Sequence, residues 1–228
     1  MNEEIIYCKD LVHIYPGKKE NVVLNGISLN INTNERVAII GKSGSGKTTL
    51  LSIFGSLIIP TGGEIRVNKQ NLRSMNLEEI LEFRRNVVGF VFQKENLVDF
   101  LTVKENIELP MKFSKLNDIE RNKRITELTE KLEINKYLNS FPDELSGGEN
   151  QRVGIAVALA NNPKIILADE PTGNLDIDTA KIVYEFLFEI SKQFKTTLVI
   201  VTHDLNIKEF VDRVIDLNEL KNKNNFVR

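Results

Sequence analysis

The sequence predicts an α/β fold: a phosphate-binding-loop core with a mixed sheet, an antiparallel β subdomain and a helical insertion subdomain. Three observations predict it. First, Glu35-Arg36-Val37-Ala38-Ile39-Ile40 reads as a buried strand, Gly41-Lys42-Ser43-Gly44-Ser45-Gly46-Lys47-Thr48 as a Gly-rich turn, and Thr49-Leu50-Leu51-Ser52-Ile53-Phe54 as the first turns of a helix. Strand, turn and helix in that order are the context a phosphate loop requires. Second, Ile165-Ile166-Leu167-Ala168-Asp169 and Thr197-Leu198-Val199-Ile200-Val201-Thr202 are short, branched, near-continuous apolar runs, as strands buried on both faces are. Third, from about Leu97 to Asn161 the pattern turns helical.

In chain order, Ile5-Ile6-Tyr7 and Val12-His13-Ile14-Tyr15 suggest strands, and Pro16 to Asn21 a polar turn. Leu24, Ile27, Leu29 and Ile31 alternate as a strand up to the tight turn Asn32-Thr33-Asn34. After the phosphate loop, Pro60-Thr61-Gly62-Gly63 turns into the short strand Glu64 to Val67. Leu77 to Arg85 has helical spacing, and Val87 to Phe92 is a strand ending at Gln93. Thr102 with Glu105 is spaced as a capping box, opening a short helix that Pro110 stops, and Ser146 with Glu149 repeats the device. Ile125, Leu128 and Leu132 mark a charged helix over Ile119 to Leu132; Val183, Phe186, Leu187, Ile190 and Phe194 share one face of a helix over Thr179 to Phe194. Val214 to Leu217 is a last short strand, and the polar tail from Lys221 frays. The division is one domain over 1–228: a core with its antiparallel layer over 1–96 and 162–220, a helical part over 97–161, and the tail 221–228.

With 228 residues, 41% hydrophobic, the chain is long enough for a well-buried core. A net charge of −2 without a basic stripe disfavours a nucleic-acid partner. No run of eighteen apolar residues is present, so the sequence predicts no membrane span, and the acidic start lacks the basic flank of a secretory signal. A single cysteine, Cys8, excludes an internal disulfide and reads as a small buried strand residue; with the rest it points to a soluble cytosolic protein.

The candidate chemistry follows from residue types. Glycines 41, 44 and 46 let backbone N–H groups approach phosphate oxygens, with Lys42, Ser43, Ser45 and Thr49 completing the loop, and the helix N-terminus adds partial positive charge. Lys47 is expected at the β- and γ-phosphates and the Thr48 hydroxyl on Mg²⁺. A flexible Gly/Ser surface loop is the alternative, against which the strand–turn–helix context stands. Asp169 and Glu170 end an apolar strand, where open α/β sheets present active-site groups. Asp169 fits a water-mediated Mg²⁺ ligand and Glu170 a group that orients or deprotonates an attacking water.

Together with these, Leu145-Ser146-Gly147-Gly148-Glu149-Asn150-Gln151-Arg152 resembles the signature motif of ATP-binding cassette (ABC) transporter ATPases, and the likeness covers nearly the whole chain. Paired glycines and Ser146 at a helix start offer N–H and hydroxyl donors to phosphate. Asn150 departs from the glutamine common at that position, past the phosphate-facing residues, with little expected effect on ATP binding. The resemblance implies further roles: Gln93 as the Q-loop glutamine near Mg²⁺ and the lytic water, His203 as the switch histidine at the γ-phosphate, and Asn174, Leu175 and Asp176 as the D-loop at the subunit interface. It also implies Tyr15 as the aromatic that stacks on adenine. It implies ATP and Mg²⁺ as the bound species, and a head-to-tail homodimer in the ATP-bound state, where Ser146, Gly147, Gly148 and Glu149 act on the partner's ATP.

Pro171 to Asp176 and Leu97 to Pro110 are similar to the branch holding macrolide-exporter, lipoprotein-releasing and cell-division ATPases. That implies an ATPase on the inner face of the membrane, bound to an integral-membrane permease and driving export or mechanical motion. A regulatory ATPase that signals through a membrane partner without moving solute is the alternative. A soluble ABC ATPase of DNA repair or translation is disfavoured, because neither a long heptad insertion nor a second cassette is present.

Overall fold

The computed structural model of the chain describes residues 3–17, 21–93, 96–173 and 177–224. Among these residues, nine strands fall into two sheets. A four-stranded antiparallel sheet runs β2-β1-β4-β5, built from β1 (Glu4–Tyr15), β2 (Asn21–Asn32), β4 (Gly62–Val67) and β5 (Gln70–Asn71). A five-stranded sheet runs β6-β7-β8-β3-β9, from β3 (Arg36–Ile40), β6 (Val88–Val91), β7 (Ile165–Asp169), β8 (Thr197–Thr202) and β9 (Arg213–Asp216). Every pairing in it is parallel, so the mixture of pairings lies between the two sheets.

The parallel sheet is buried on both faces, and the two-residue period of its strands decides which side chain goes where. Val37, Ile39, Ile165, Leu167, Val199 and Val201 point to the cluster shared with the antiparallel sheet and α1 (Lys47–Phe54). Ala38, Ile40, Ile166, Ala168, Leu198 and Ile200 point to the other cluster. There they meet α6 (Ile177–Gln193), α5 (Gly147–Leu159), α3 (Val103–Glu108) and α4 (Asp118–Lys131). The helical stretch therefore shares a core with one face of the sheet. Each valine, leucine or isoleucine so buried stabilises the fold by roughly 1.5–3 kcal/mol.

Several helices start at a reciprocal cap. Thr102 and Glu105 form the expected box on α3, and Ser146 and Glu149 on α5. Two more, Asn76 with Glu79 on α2 (Leu77–Asn86) and Asn117 with Glu120 on α4, went unread because asparagine replaces the serine or threonine of the pattern. Pro110 does not stop the chain turning: a 3₁₀ stretch, Leu109–Phe113, carries it on, since proline is tolerated in a first turn.

Two expectations change. The two N-terminal strands are one, β1, continued through an irregularity at Lys9–Val12 where Asp10 takes a φ of 49°. The polar turn after Pro16 includes residues outside the described ones. The polar tail from Lys221 does not begin there: α7 (Leu217–Asn224) continues past it, and the Lys221 ammonium donates to the Val23 carbonyl at 2.6 Å.

Candidate active site

The strand order brings the predicted residues together. Strands β7, β8 and β3 are neighbours, with Asp169 level with Val201 and Ile40 level with Thr202. Their C-terminal ends therefore deliver the 41–48 loop, Asp169-Glu170 and Thr202-His203 to one edge, where open α/β sheets bind ligands.

The loop has a cradle's backbone. Gly44 and Gly46 take φ of 73° and 95°, and a Cβ on Gly46 would stand 2.9 Å from the Leu24 and Val23 side chains. Only glycine satisfies both demands. Lys47, 7% exposed, donates from Nζ to the Gly41 carbonyl at 2.9 Å and the Lys42 carbonyl at 3.3 Å, and stands 3.8 Å from Glu170 Oε1. The Ser45 hydroxyl is buried without a protein partner, and Ser45 lines the cavity. An orphaned hydroxyl and a buried ammonium inside a glycine loop fit a bound polyphosphate. The cavity, about 600 Å³, is lined by Tyr15, Asn21 and Val23, loop residues 43 to 49, Glu170 and His203.

The Thr48 hydroxyl donates to Asp169 Oδ1 at 3.1 Å. One hydroxyl and one carboxylate are the protein ligands a Mg²⁺ bound mainly through phosphates and water calls for, so this pair fits the ion. Burial pushes the Asp169 carboxyl above its ordinary range; the Thr48 hydroxyl opposes this, the Glu170 charge adds to it, and Lys47 opposes it again.

Glu170 sits at a φ of 44°, left-handed for a residue with a Cβ, which costs roughly 1–2 kcal/mol. The strain is held by its neighbours. Its N–H continues the ladder to the Val201 carbonyl at 2.9 Å, and its own carbonyl accepts from Gly173 N–H at 3.0 Å. Glu170 Oε2 accepts from the Thr202 hydroxyl at 3.3 Å and the His203 N–H at 3.4 Å, and lies 2.8 Å from His203 Nδ1. A carboxylate only accepts, so Nδ1 carries a proton, and Nε2 donates as well only from the imidazolium. The arrangement holds a carboxylate beside a lysine at the mouth of a phosphate cradle, the geometry of a base acting on a water near a terminal phosphate.

Tyr15, 39% exposed, also lines the cavity, its hydroxyl 3.3 Å from Thr49 Oγ1. His13, buried and with neither ring nitrogen hydrogen-bonded, packs against it edge to face, ring centres 4.5 Å apart. A ring so fixed, lining the cavity, suits stacking on a base.

Not everything predicted converges here. Gln93 is exposed and does not line this cavity; a Cβ on Gly173 would stand 2.7 Å from its Nε2. Ser146, Gly148 and Glu149 line a different and shallower hollow with Lys136, Tyr137 and Arg152. There the Ser146 hydroxyl and N–H both donate to Glu149 Oε2, and Tyr137 donates to Oε1. The Tyr137 hydroxyl, then the Ser146 groups, hold the Glu149 carboxyl down at about 2. Asn150 donates to the Pro142 carbonyl at 2.8 Å, and Gln151 to the Pro171 carbonyl at 2.7 Å, tying α5 to the turn after Glu170. Asn174, Leu175 and Asp176 lie outside the described residues.

Sequence reasoning missed Tyr184, Thr172 and Thr202, whose buried hydroxyls lie behind Glu170. The one signal was a tyrosine on the otherwise apolar face of α6. Asn106 was missed too: buried, it donates to the Val98, Leu101 and Thr102 carbonyls and accepts from Val98 N–H, shaping the segment that follows Gln93.

Comparison with known proteins agrees with this geometry. The family model described as "ABC transporter" matches residues 24–173. The ABC transporter ATP-binding protein MJ0796 of Methanocaldococcus jannaschii is 42% identical, over 96% of this chain and 88% of that protein. The lipoprotein-releasing system ATP-binding protein LolD of Buchnera aphidicola is 41% identical, over 97% of this chain and 96% of its own. The structure described as dimeric MJ0796, a bacterial ABC transporter cassette, superposes with a TM-score of 0.82 at 41% identity, covering 92% of this chain and 93% of that one. A second MJ0796 structure, a dimeric post-hydrolysis state bound to ADP and Pi, gives 0.82 at 40% identity over the same shares.

Proposed function

Because the chain belongs to the ABC transporter family, as an ATP-binding, ATP-hydrolysing cassette, we propose that two copies close head to tail around two ATP molecules and that hydrolysis drives an integral-membrane partner. One observation carries the head-to-tail reading. The two phosphate-directed helix starts of this chain, at Gly46 and at Ser146, line separate hollows. A second copy turned through a two-fold axis brings the Ser146-Gly147-Gly148 turn of one subunit onto the cradle of the other, and symmetry then makes both sites alike.

In that arrangement each group has a task set by its surroundings. Backbone N–H groups of the loop and Lys47 hold the β- and γ-phosphates, and Tyr15 stacks on the base. Thr48 and Asp169 would hold Mg²⁺, which when bound offsets charge on the phosphate oxygens, while Gln93 is assigned to the ion by the sequence resemblance and not by its place in this cavity. Glu170 takes the proton of the attacking water, and His203, held by Glu170, meets the terminal phosphate. Asn174, Leu175 and Asp176, assigned from the sequence alone, are the interface residues in this reading.

The membrane partner is read from the surface. Among the described residues no helix is long and apolar enough to cross a membrane. Phe100 and Phe113, 81% and 68% exposed, stand on the stretch that follows Gln93, the helical part over 97–161. Exposed aromatics there suit the grip on a permease at the inner membrane face.

The test is Glu170→Gln with ATP and Mg²⁺. The closed dimer accumulates, because the proton acceptor is gone while the phosphate contacts remain, and a sizing column shows it. A variant that binds ATP yet elutes as a monomer contradicts the arrangement.

A further inference from the structure

Behind Glu170 lies a line of hydroxyls that the reaction as described does not use. Tyr184 on α6 is 1% exposed, Thr202 1% and Thr172 6%. The Thr172 hydroxyl donates to the Tyr184 oxygen at 2.6 Å, Tyr184 and Thr202 are 3.3 Å apart, and Thr202 donates to Glu170 Oε2 at 3.3 Å. The 3.3 Å contact leaves its donor open, but counting protons settles it. Thr202 has one hydroxyl proton, and a carboxylate can only accept it. The Tyr184 proton therefore goes to Thr202, whose second lone pair takes the Asp204 N–H at 3.0 Å. Every member is satisfied, and the line has one direction: Thr172 to Tyr184 to Thr202 to Glu170.

We propose that the Tyr184 hydroxyl is a positioning residue for hydrolysis: by fixing the Thr202 proton on Glu170, it holds the strained Glu170 carboxylate in the direction its proton transfer needs. The same hydroxyl joins the turn after Glu170, through Thr172, to the strand end that carries His203. It thereby keeps the carboxylate and the histidine in register. A phenylalanine would fill the same space among Phe210 and the aliphatic face of α6, so packing alone does not require the oxygen. The inference rests on Glu170 being the proton acceptor.

The experiment is steady-state ATP hydrolysis by the full chain with Mg²⁺, comparing wild type, Tyr184→Phe, Thr172→Val, the double variant and Glu170→Gln, with melting temperatures alongside. Tyr184→Phe is expected to lower kcat about five- to tenfold with KM for ATP unchanged, the signature of a contact that matters only in the transition state. Thr172 acts through Tyr184, so the double variant falls no further than Tyr184→Phe. A Tyr184→Phe protein that melts earlier but keeps wild-type kcat well below its melting temperature overturns the proposal. Should that variant not fold, Thr172→Val decides alone: a lowered kcat supports the line and an unchanged one overturns it. Glu170→Gln separates the two levels. If it still turns over ATP, the assignment of Glu170 fails; if it is dead while Tyr184→Phe is fully active, only this inference fails.

Discussion

Two helices of this chain begin at glycine-rich turns, and they are built in opposite ways. At the start of α1 the turn is inside the protein: Ser45, Gly46 and Lys47 are buried, two glycines take left-handed φ, and a Cβ on Gly46 would strike Val23 and Leu24. At the start of α5 the turn is on the surface, and a Cβ on Gly147 or Gly148 would meet nothing within 4 Å. Glycine in the first turn is demanded by the chain's own folding. Glycine in the second is not, which suits a turn that meets something outside the chain. A cradle finished by its own subunit and a surface left open for another molecule's phosphates are what a shared site between two copies requires.

The largest effect separates the two turns at the cradle. Lys47→Ala removes the buried ammonium from the phosphates, and turnover is expected to fall by at least about 100-fold together with ATP binding to the single subunit. Retained tight ATP binding, read by titration, would break the assignment of the cradle.

Next comes the open turn. Gly148→Asp has room in the fold, and an acidic residue in a first helical turn is favourable, so the melting temperature should hold or rise slightly. The same carboxylate would face the partner's phosphates. Turnover is expected to fall by about 100-fold or more while ATP affinity of the isolated subunit stays unchanged. A Gly148→Asp enzyme with normal turnover would show that this turn never meets nucleotide.

The smallest effect is on stability. Glu149 caps its helix with a carboxyl held at about 2 by Tyr137 and Ser146, below an ordinary 4.5. A folded-state value below the unfolded one adds stability above pH 4.5 that is lost as pH falls from there toward 2. Glu149→Gln should therefore melt below wild type near neutral pH, and the gap should close on acidification. A gap that does not depend on pH would mean the loss comes from the geometry of the cap and not from the carboxylate's charge.

How much of this was legible in sequence depended on whether a feature is local. Strands β7 and β8 were read residue for residue, because unbroken branched runs ending at Asp169 and Thr202 leave little choice. The capping boxes of α3 and α5 were legible because each lies within four residues and opens on threonine or serine; those of α2 and α4, as local but opening on asparagine, were not. β1 was read as two strands because Lys9 and Asp10 break the alternation, which the structure absorbs in a bulge. The cradle residues could be named individually, but their meeting with Glu170 and His203 depends on β3, β8 and β7 being neighbours, a fact of topology. The Tyr184 line was illegible for the same reason. It joins α6 to two strand ends, and no spacing along the chain encodes the 3.3 Å between Tyr184 and Thr202.

The most direct measurement mixes the two defective proteins. Lys47→Ala has a sound Ser146-Gly147-Gly148 turn and Gly148→Asp has a sound cradle, and each alone should be inactive. In a head-to-tail pair of one with the other, one of the two sites is assembled entirely from intact parts. An equal mixture forms such pairs in half its dimers, so turnover should rise well above the sum of the separate proteins, up to about a quarter of wild type. A mixture no more active than its components, with both proteins folded, would contradict a site shared between subunits.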